Sequence, residues 1–227
     1  MSLNIIDPFQ TPCETQVRKA AINLPSSPIT SIFDAAKIIA YSGVNGALAH
    51  HIERELNWGV NFKSWRAQMP SQTPNVLSNY QRLYTGREID YSLVNEAILQ
   101  HGIILPHGQI LFHGGHWQKF PGVMKTTRPF SATFCPQVAM REAEHNAKSY
   151  NSGYIDLIYI RLDDPQTKAF VYRQKGTRMG HEKEIIFATG ATITVKNRML
   201  MNHEYPASNW QMPDKLISSY LVEATLS

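Results

Sequence analysis

The sequence predicts an α+β fold in which a helical N-terminal part precedes a substantially antiparallel β-sheet. Three observations lead to this prediction. Apolar residues recur at helical spacing in several segments before residue 101, whereas after residue 102 the chain contains short runs rich in Ile, Val, Leu and Tyr. Turn residues separate these runs. Helices first and strands later are typical of α+β architecture.

The helical part covers the segments 32–40, 45–57, 76–84 and 91–100. In the first of them, apolar residues lie three and four positions apart behind Thr30 or Ser31, either of which can cap the helix. Gly59 is placed to end the second helix. Residues 1–28 contain four prolines and predict an irregular arm. Because Pro70 and Pro74 interrupt the segment 69–75, we expect an arm and helical annex at 1–75 and a second domain at 76–227.

The sheet part consists of predicted strands at 109–113, 155–162, 169–172, 184–188, 191–196 and 216–223. The dipeptide Thr189-Gly190 and the clusters at 106–108 and 163–165 are turn signals between them. A helix at about 136–150 interrupts the run of strands, with Pro136 near its first turn. We expect a proline-bearing tail after His203.

Composition excludes several classes of protein. The chain has 227 residues, of which 43% are hydrophobic and 18% charged, so it can bury a core without covalent staples. Its only cysteines, Cys13 and Cys135, exclude a disulfide scaffold and a cysteine-based zinc site. No apolar run approaches the about 20 residues of a membrane span, so no membrane partner is expected. The sequence also lacks the Gly-rich phosphate loops and the Gly-x-Ser-x-Gly elbow.

The positive balance of the chain is small. Lys and Arg exceed Asp and Glu by four, and the isoelectric point is about 9.0. This balance is compatible with an anionic partner and does not identify one. Residues 1–10 lack the charged start and apolar middle of a signal peptide, so we expect synthesis in the cytoplasm.

Three segments carry candidate chemistry. The first is a strand that ends in His113, Gly114 and Gly115, where glycines let a ligand approach the backbone. The second, at 128–139, is a strand with hydroxyl and aromatic side chains that leads into the helix at Pro136. The third, at 180–187, enters a strand through Glu182 and Glu184. On a strand this spacing points both carboxylates to one face, where they raise each other's pKa and suit acid–base work or stabilisation of a cation.

In this order and spacing, the three segments resemble the ADP-ribosyltransferase superfamily of the bacterial toxins. The resemblance covers residues 76–223 and implies a split antiparallel β-sheet core preceded by an N-terminal helical segment. Two further stretches resemble the helical lead-in of the family and the hairpin after its glutamate, namely Tyr84-Thr85-Gly86 with the helix at 93–99, and the segment 189–195. The family motifs correspond here to His113-Gly114, to Ser131-Ala132-Thr133 followed by Pro136-Gln137-Val138-Ala139, and to Glu182-Lys183-Glu184.

The resemblance implies an enzyme that cleaves the bond between nicotinamide and ribose in NAD, used as a substrate, and transfers ADP-ribose to an acceptor. It implies catalytic roles for Glu184, Glu182 and Ser131: Glu184 stabilises the oxocarbenium-like state and Ser131 holds Glu184. Of the NAD-binding residues that it implies, His113 bonds a ribose hydroxyl or a phosphate, and Gly114 offers its backbone to the nicotinamide amide. Ser131 and Thr133 also belong to this set, and Phe130 or Phe134 could stack on nicotinamide or belong to the core.

The function remains open between three alternatives. Glu182 favours an arginine side chain on a protein, because in relatives with this motif the first acid orients or deprotonates the guanidinium. The basic segment 173–178 also suits an acidic protein surface or a nucleic acid. A non-catalytic member of the fold is the third alternative, since His113 stands where many relatives keep arginine and Ala132 replaces the middle threonine. The toxin resemblance adds delivery into a target cell as an effector. No metal is expected, although a His113–His116 site is conceivable.

Overall fold

The computed structural model describes residues 3–14, 28–82, 89–117, 121–175 and 179–227. Helices dominate its first half and strands its second, which confirms the α+β prediction. The helices are α1 (Ile32–Ser42), α2 (Gly46–Trp58), α3 (Val60–Ala67), α4 (Asn75–Arg82), α5 (Tyr91–His101), α6 (Pro136–Glu144) and α7 (Lys148–Ser152). The strands are β1 (Ile110–Gly115), β2 (Gly122–Lys125), β3 (Phe130–Thr133), β4 (Tyr154–Leu162), β5 (Ala169–Val171), β6 (Glu184–Phe187), β7 (Thr192–Asn209) and β8 (Met212–Leu226).

The N-terminal helices begin and end where their capping residues dictate. The Ser31 hydroxyl accepts the Asp34 N–H at 3.0 Å and starts α1. The Asn45 side chain does the same for α2, accepting the Leu48 N–H at 3.1 Å. Gly59 ends α2 as predicted and also precedes α3, a helix that sequence reasoning missed. Two helices that share one boundary residue leave no loop between them for a turn signal to mark.

The eight strands form one mixed sheet in the order β2-β7-β8-β4-β1-β3-β6-β5. Its pairings are antiparallel except for β4 with β8, which run parallel over nine paired positions from Tyr154↔Ser218 to Leu162↔Leu226. The two parts of the sheet, β2-β7-β8-β4-β1 and β3-β6-β5, meet through the single pair Phe112↔Thr133. The sheet is therefore split at the β1–β3 junction, as expected, and this junction carries two of the three sequence motifs.

The helix predicted at 136–150 is shorter than expected. α6 ends at Glu144, because Asn146 and Ala147 adopt left-handed backbone conformations with φ of 56° and interrupt the helix before α7. α6 lies close to β1: a Cβ added at Gly114 would stand 1.6 Å from the Ala139 carbonyl oxygen. A glycine at position 114 thus permits the contact between helix and strand.

The C-terminal strands are longer than predicted and include the segment that was expected to be a tail. β7 and β8 form a hairpin that turns at Trp210 and Gln211, and β2, which was not predicted, pairs with β7 at its start. The segment 189–195 does not form a hairpin with β6 as expected, since β7 pairs with β2 and β8, and β6 with β3 and β5. The sequence did not predict this part of β7 as a strand, because polar residues such as Asn202 and His203 interrupt the pattern of apolar residues.

The annex shares one hydrophobic core with the sheet. Ile39 of α1 and Trp65 of α3 belong to the same buried cluster as Phe112 and Ile158 of the sheet. α1 packs against β7, β8, β4 and α6. The division of the chain at residue 75 stays a prediction. Within the described ranges, no helix has the length and apolarity needed to cross a membrane.

Candidate active site

Glu184 stands at the first position of β6 and its carboxylate receives a hydrogen bond on each oxygen. The Ser131 hydroxyl, on the neighbouring strand β3, donates to Oε1 at 2.6 Å. The Gln81 amide, near the end of α4, donates to Oε2 at 2.9 Å. The contact between Ser131 and Glu184 has the geometry that the sequence motifs implied. A carboxylate held from both sides has a fixed position and orientation, as a preorganised catalytic group requires.

Gln81 is the site residue that sequence reasoning missed. Its amide hydrogen-bonds Glu184, and its side chain also lowers the pKa of Glu182, so Gln81 acts on both acids. Nothing in the sequence pointed to it, because a glutamine on an amphipathic helix is an ordinary surface residue. The Tyr84-Thr85-Gly86 part of the expected lead-in follows Gln81 and lies outside the described residues.

Glu182 lies in a 3₁₀ turn, Gly180–Glu182, and not on the strand. The expectation that strand alternation would point Glu182 and Glu184 to one face is therefore wrong. Lys183, between them, has a left-handed backbone with φ of 51° and starts the change from turn to strand. The negative charge of Glu184 nevertheless raises the pKa of Glu182.

Thr133 holds the turn, because its hydroxyl uses its one proton on a contact within the protein. Its buried hydroxyl donates to the Glu182 carbonyl at 2.6 Å and accepts the Cys135 N–H at 3.1 Å. A second bond between the same segments joins the Phe134 N–H to the Lys183 carbonyl at 3.4 Å. The prediction that Thr133 binds the cofactor is thus corrected: Thr133 positions the backbone of Glu182.

The environment of the two glutamates raises both of their pKa values. Burial raises the pKa of Glu184 to about 7, although the hydrogen bonds from Ser131 and Gln81 lower it. Burial, together with the charges of Glu184 and of Glu142 on α6, raises the pKa of Glu182 to about 8. The perturbed pKa values mark this place as a candidate functional site.

His113 lies at the split of the sheet, beside Ser131 and Phe130. Its Nδ1 is 2.8 Å from the Ser131 carbonyl oxygen, and because a carbonyl only accepts, Nδ1 carries the proton. Burial lowers the pKa of His113, so the ring is neutral at pH 7 and Nε2 is an acceptor. An acceptor suits a ribose hydroxyl and not a phosphate, which narrows the role expected for His113.

The two candidate aromatic residues have different positions. Phe134 is fully buried and packs against Phe62 and Trp65 of α3, with ring centroids 5.8 and 5.9 Å away. Phe134 is therefore a core residue, and the prediction that it contacts the cofactor is wrong. Phe130 is only partly buried, and its ring lies 4.6 Å from that of His113 at an interplanar angle of 36°. Phe130 is therefore the more exposed of the two aromatic residues, and the contact that it makes is with His113.

The remaining candidates lie around this centre. Of the basic segment 173–178, Arg173 and Lys175 are described and exposed, whereas 176–178 lies outside the described residues. Among the described residues, the group that could hold a metal ion by geometry is His107 with Asp163 and Asp164, exposed at the other end of β1 from Gly114. His113 engages Ser131 and Phe130, so the conceivable site with His116 has no geometric support.

Comparisons with known proteins give matches in structure only. Neither the protein-family models nor the curated proteins match the sequence. Among the solved structures, the enzymatic component C2-I of the Clostridium botulinum C2 toxin matches with 11% identity and a TM-score of 0.40, over 74% of this chain and 47% of that chain. The present chain thus spans about half the length of C2-I.

Two further structural matches cover most of both chains. Plx2a, an ADP-ribosyltransferase toxin from Paenibacillus larvae, has 10% identity and a TM-score of 0.45 over 77% of this chain and 96% of that chain. Vis, an ADP-ribosyltransferase from Vibrio splendidus, has 12% identity and a TM-score of 0.45 over 86% of this chain and 90% of that chain.

Proposed function

We propose that the protein is a NAD-dependent mono-ADP-ribosyltransferase that modifies an arginine side chain. The observation that carries the proposal is the Glu184 carboxylate, held between the Ser131 hydroxyl and the Gln81 amide at the split of the sheet. A partly buried acid with two fixed donors and a raised pKa is typical of a catalytic group. The order of the three sequence motifs supplies the reaction class.

Glu184 would act on the ribose of NAD. When the bond between C1′ and the nicotinamide nitrogen breaks, its electron pair leaves with nicotinamide and positive charge develops on the ribose ring. An ionised Glu184 beside the ring stabilises that charge, and it also accepts a hydrogen bond from the 2′-hydroxyl. Loss of one such preorganised group costs on the order of a hundredfold in rate or more.

His113 and Phe130 would bind the nicotinamide riboside part of NAD. The neutral His113 ring offers Nε2 as an acceptor to a ribose hydroxyl. The partly exposed Phe130 ring offers a stacking surface for nicotinamide. The Gly114 backbone remains the expected partner of the nicotinamide amide, at the strand end where β1 separates from β3.

Glu182 would receive the acceptor. Its pKa of about 8 leaves this carboxyl largely protonated at pH 7. An approaching guanidinium lowers that pKa, because an opposite charge favours the ionised carboxylate. The carboxylate then orients the guanidinium, whose nitrogen attacks C1′ and loses a proton to Glu182. The two acids thus divide the reaction: Glu184 serves bond cleavage and Glu182 serves transfer.

The division of roles gives the test. Purified protein is incubated with NAD, with and without agmatine as a small guanidinium acceptor, and nicotinamide and ADP-ribosyl-agmatine are measured separately. The wild-type protein should form both products. Glu182→Gln should lose transfer to agmatine by a hundredfold or more and retain NAD hydrolysis within about tenfold. Absence of nicotinamide release from the folded wild-type protein, with and without agmatine, would overturn the proposal and favour a non-catalytic member of the fold.

A further inference from the structure

An exposed tryptophan with two lysines lies at the corner between α2 and α3. The Trp58 side chain is 73% exposed and Val60 beside it is 75% exposed. Lys63 of α3 places its Nζ 5.8 Å from the Trp58 ring centroid, and Lys175 places its Nζ 6.0 Å from the same ring. These four residues, Trp58, Val60, Lys63 and Lys175, are called the Trp58 patch below. A large apolar side chain this exposed marks an interaction surface when charges surround it.

The Trp58 patch borders the Glu182 turn. Lys175 follows Gln174, whose carbonyl lies so close to Gly180 that a Cβ at position 180 would stand 1.8 Å from it. Gly180 in turn begins the 3₁₀ turn that ends at Glu182. The segment that carries Lys175 therefore packs directly on the turn that presents the acceptor carboxyl group.

A second connection ties the annex to this turn. The buried Lys183 side chain, between the two catalytic candidates in sequence, lies 3.8 Å from Glu53 of α2. Arg66 of α3 donates to the Val171 carbonyl, and Arg173 donates to the Ser71 carbonyl at 2.9 Å. The annex thus contacts both ends of the segment between β5 and β6, so α2 and α3 lie beside the segment that leads to Glu182.

The charge of this corner is positive. Lys63, Lys175 and Arg173 are exposed. Burial is the main cause that lowers the pKa of Arg66 to about 10, and the positive charge of Arg173 is the second cause. Of the acids on the adjoining part of α2, Glu53 faces Lys183 and Glu55 is bound by Arg54 at 2.9 Å. The patch therefore presents ammonium groups supported by an aromatic ring, a surface that complements carboxylates.

We propose that the Trp58 patch binds an acidic segment of the protein acceptor, next to the arginine that enters at Glu182. This inference rests on the proposed function, because Glu182 defines where the arginine lies. Aspartate or glutamate side chains a few residues from the target arginine pair with Lys63 and Lys175, while Trp58 and Val60 cover the apolar parts of the segment. The annex then selects the acceptor and does not act on NAD.

The binding test uses Glu184→Gln as the background, so that it does not depend on turnover. Fluorescence anisotropy measures binding of three labelled peptides with one central arginine: one flanked by Asp and Glu, one by Ala, and one by Lys. The acidic peptide should bind at least tenfold more tightly than the alanine peptide, and Trp58→Ala or the pair Lys63→Ala/Lys175→Ala should abolish the difference. The matched controls are Trp210→Ala, whose side chain is 90% exposed on the β7–β8 hairpin, and Lys196→Ala on β7.

The activity test separates this inference from the proposed function. The patch variants should raise the KM for the acidic peptide about tenfold and leave NAD hydrolysis and transfer to agmatine within twofold of wild type. Equal binding of the three peptides, or equal loss with the control variants, would overturn the docking site even if NAD is cleaved. Tighter binding of single-stranded RNA than of the acidic peptide, with loss on Trp58→Ala, would overturn it in favour of a nucleic-acid surface. Failure of the wild-type protein to cleave NAD would count against the proposed function only.

Discussion

The Ser131 hydroxyl lies 2.6 Å from Oε1 of Glu184, across the paired strands β3 and β6. This contact joins the second and third sequence motifs in one hydrogen bond. Because strand pairing fixes both backbones, the position of the carboxylate depends on the sheet and not on a flexible loop.

Ser131→Ala should shift the pH dependence of NAD hydrolysis. The hydroxyl stabilises the ionised carboxylate and lowers the pKa of Glu184, so its removal raises that pKa. Activity that needs ionised Glu184 rises with pH. The acidic limb of the pH profile of NAD hydrolysis should therefore move to higher pH by about one unit. The profile of kcat against pH measures the shift. Thr127→Ala, which removes an exposed hydroxyl in the bend before β3, should leave the limb in place. An unshifted limb in Ser131→Ala would contradict the assigned contact.

Gln81→Leu should move the same limb in the same direction and also weaken transfer. The Gln81 amide bonds Glu184 and lowers the pKa values of both acids, so its loss raises both pKa values and removes a restraint on Glu184. We expect a drop of about tenfold in kcat for transfer to agmatine at pH 7, consistent with one charge-assisted hydrogen bond. Asn79→Leu, an exposed change on the same helix, is the matched control. A Gln81→Leu profile identical to that of Asn79→Leu would show that Gln81 has no positioning role.

The two buried acids should make the protein less stable as pH rises. Their pKa values in the folded state are about 7 and 8, above the ordinary value of 4.5, so the folded state binds more protons between these limits. The free energy of unfolding therefore falls as pH increases from about 4.5 to 8. Glu184→Gln should raise the free energy of unfolding at pH 8.5 by more than about 1 kcal/mol and change it little at pH 5.

Thermal and urea denaturation at the two pH values check this prediction. Glu204→Gln, which changes an exposed carboxylate on β7, should have the same small effect at both pH values. A Glu184→Gln variant that is less stable than wild type at pH 8.5 would contradict the prediction. It would mean that neighbouring groups stabilise the charged carboxylate by more than burial destabilises it.

Gly114→Ala should destabilise the fold by bringing a Cβ against α6. The added atom would stand 1.6 Å from the Ala139 carbonyl oxygen, which is backbone and cannot move alone. We expect a loss of about 3 kcal/mol or more in the free energy of unfolding, at the upper end of overpacking effects. Gly46→Ala, at the start of α2 with no atom within 4 Å of the added Cβ, should stay within about 0.5 kcal/mol of wild type. Equal effects of the two substitutions would contradict the close packing of α6 on β1.

Sequence reasoning succeeded where local signals are strong. Ser31 and Asn45 mark the starts of α1 and α2. The hydrogen bond between Ser131 and Glu184 joins two of the motifs, and the catalytic roles of these residues stay predictions. It failed where contacts between residues far apart in the sequence determine the position of a side chain. The sequence places Phe134 next to a strand that was predicted to bind the cofactor. In the structure, Phe62 and Trp65 of the annex bury Phe134, and no pattern in the sequence predicts that packing.

The Glu182 turn illustrates a second kind of failure. The i, i+2 spacing of Glu182 and Glu184 predicts a shared strand face, but Lys183 takes a left-handed conformation that single-sequence propensity does not predict for lysine. Tertiary contacts hold this conformation: Thr133 bonds the Glu182 carbonyl and Glu53 faces the Lys183 side chain. β7 continues after His203, where a tail was expected, and the strand pattern is weak there because most exposed side chains, such as Glu204 and Ser208, are polar.

Nicotinamide release by Glu184→Gln tests the central claim most directly. The amide keeps the size of the side chain and removes the negative charge, so the fold, monitored by circular dichroism, should be retained. Wild-type protein should release nicotinamide from NAD, and the variant should do so at least a hundredfold more slowly with a similar KM for NAD. A folded Glu184→Gln variant that releases nicotinamide at the wild-type rate would contradict the assignment of Glu184 as the residue that stabilises the ribosyl cation.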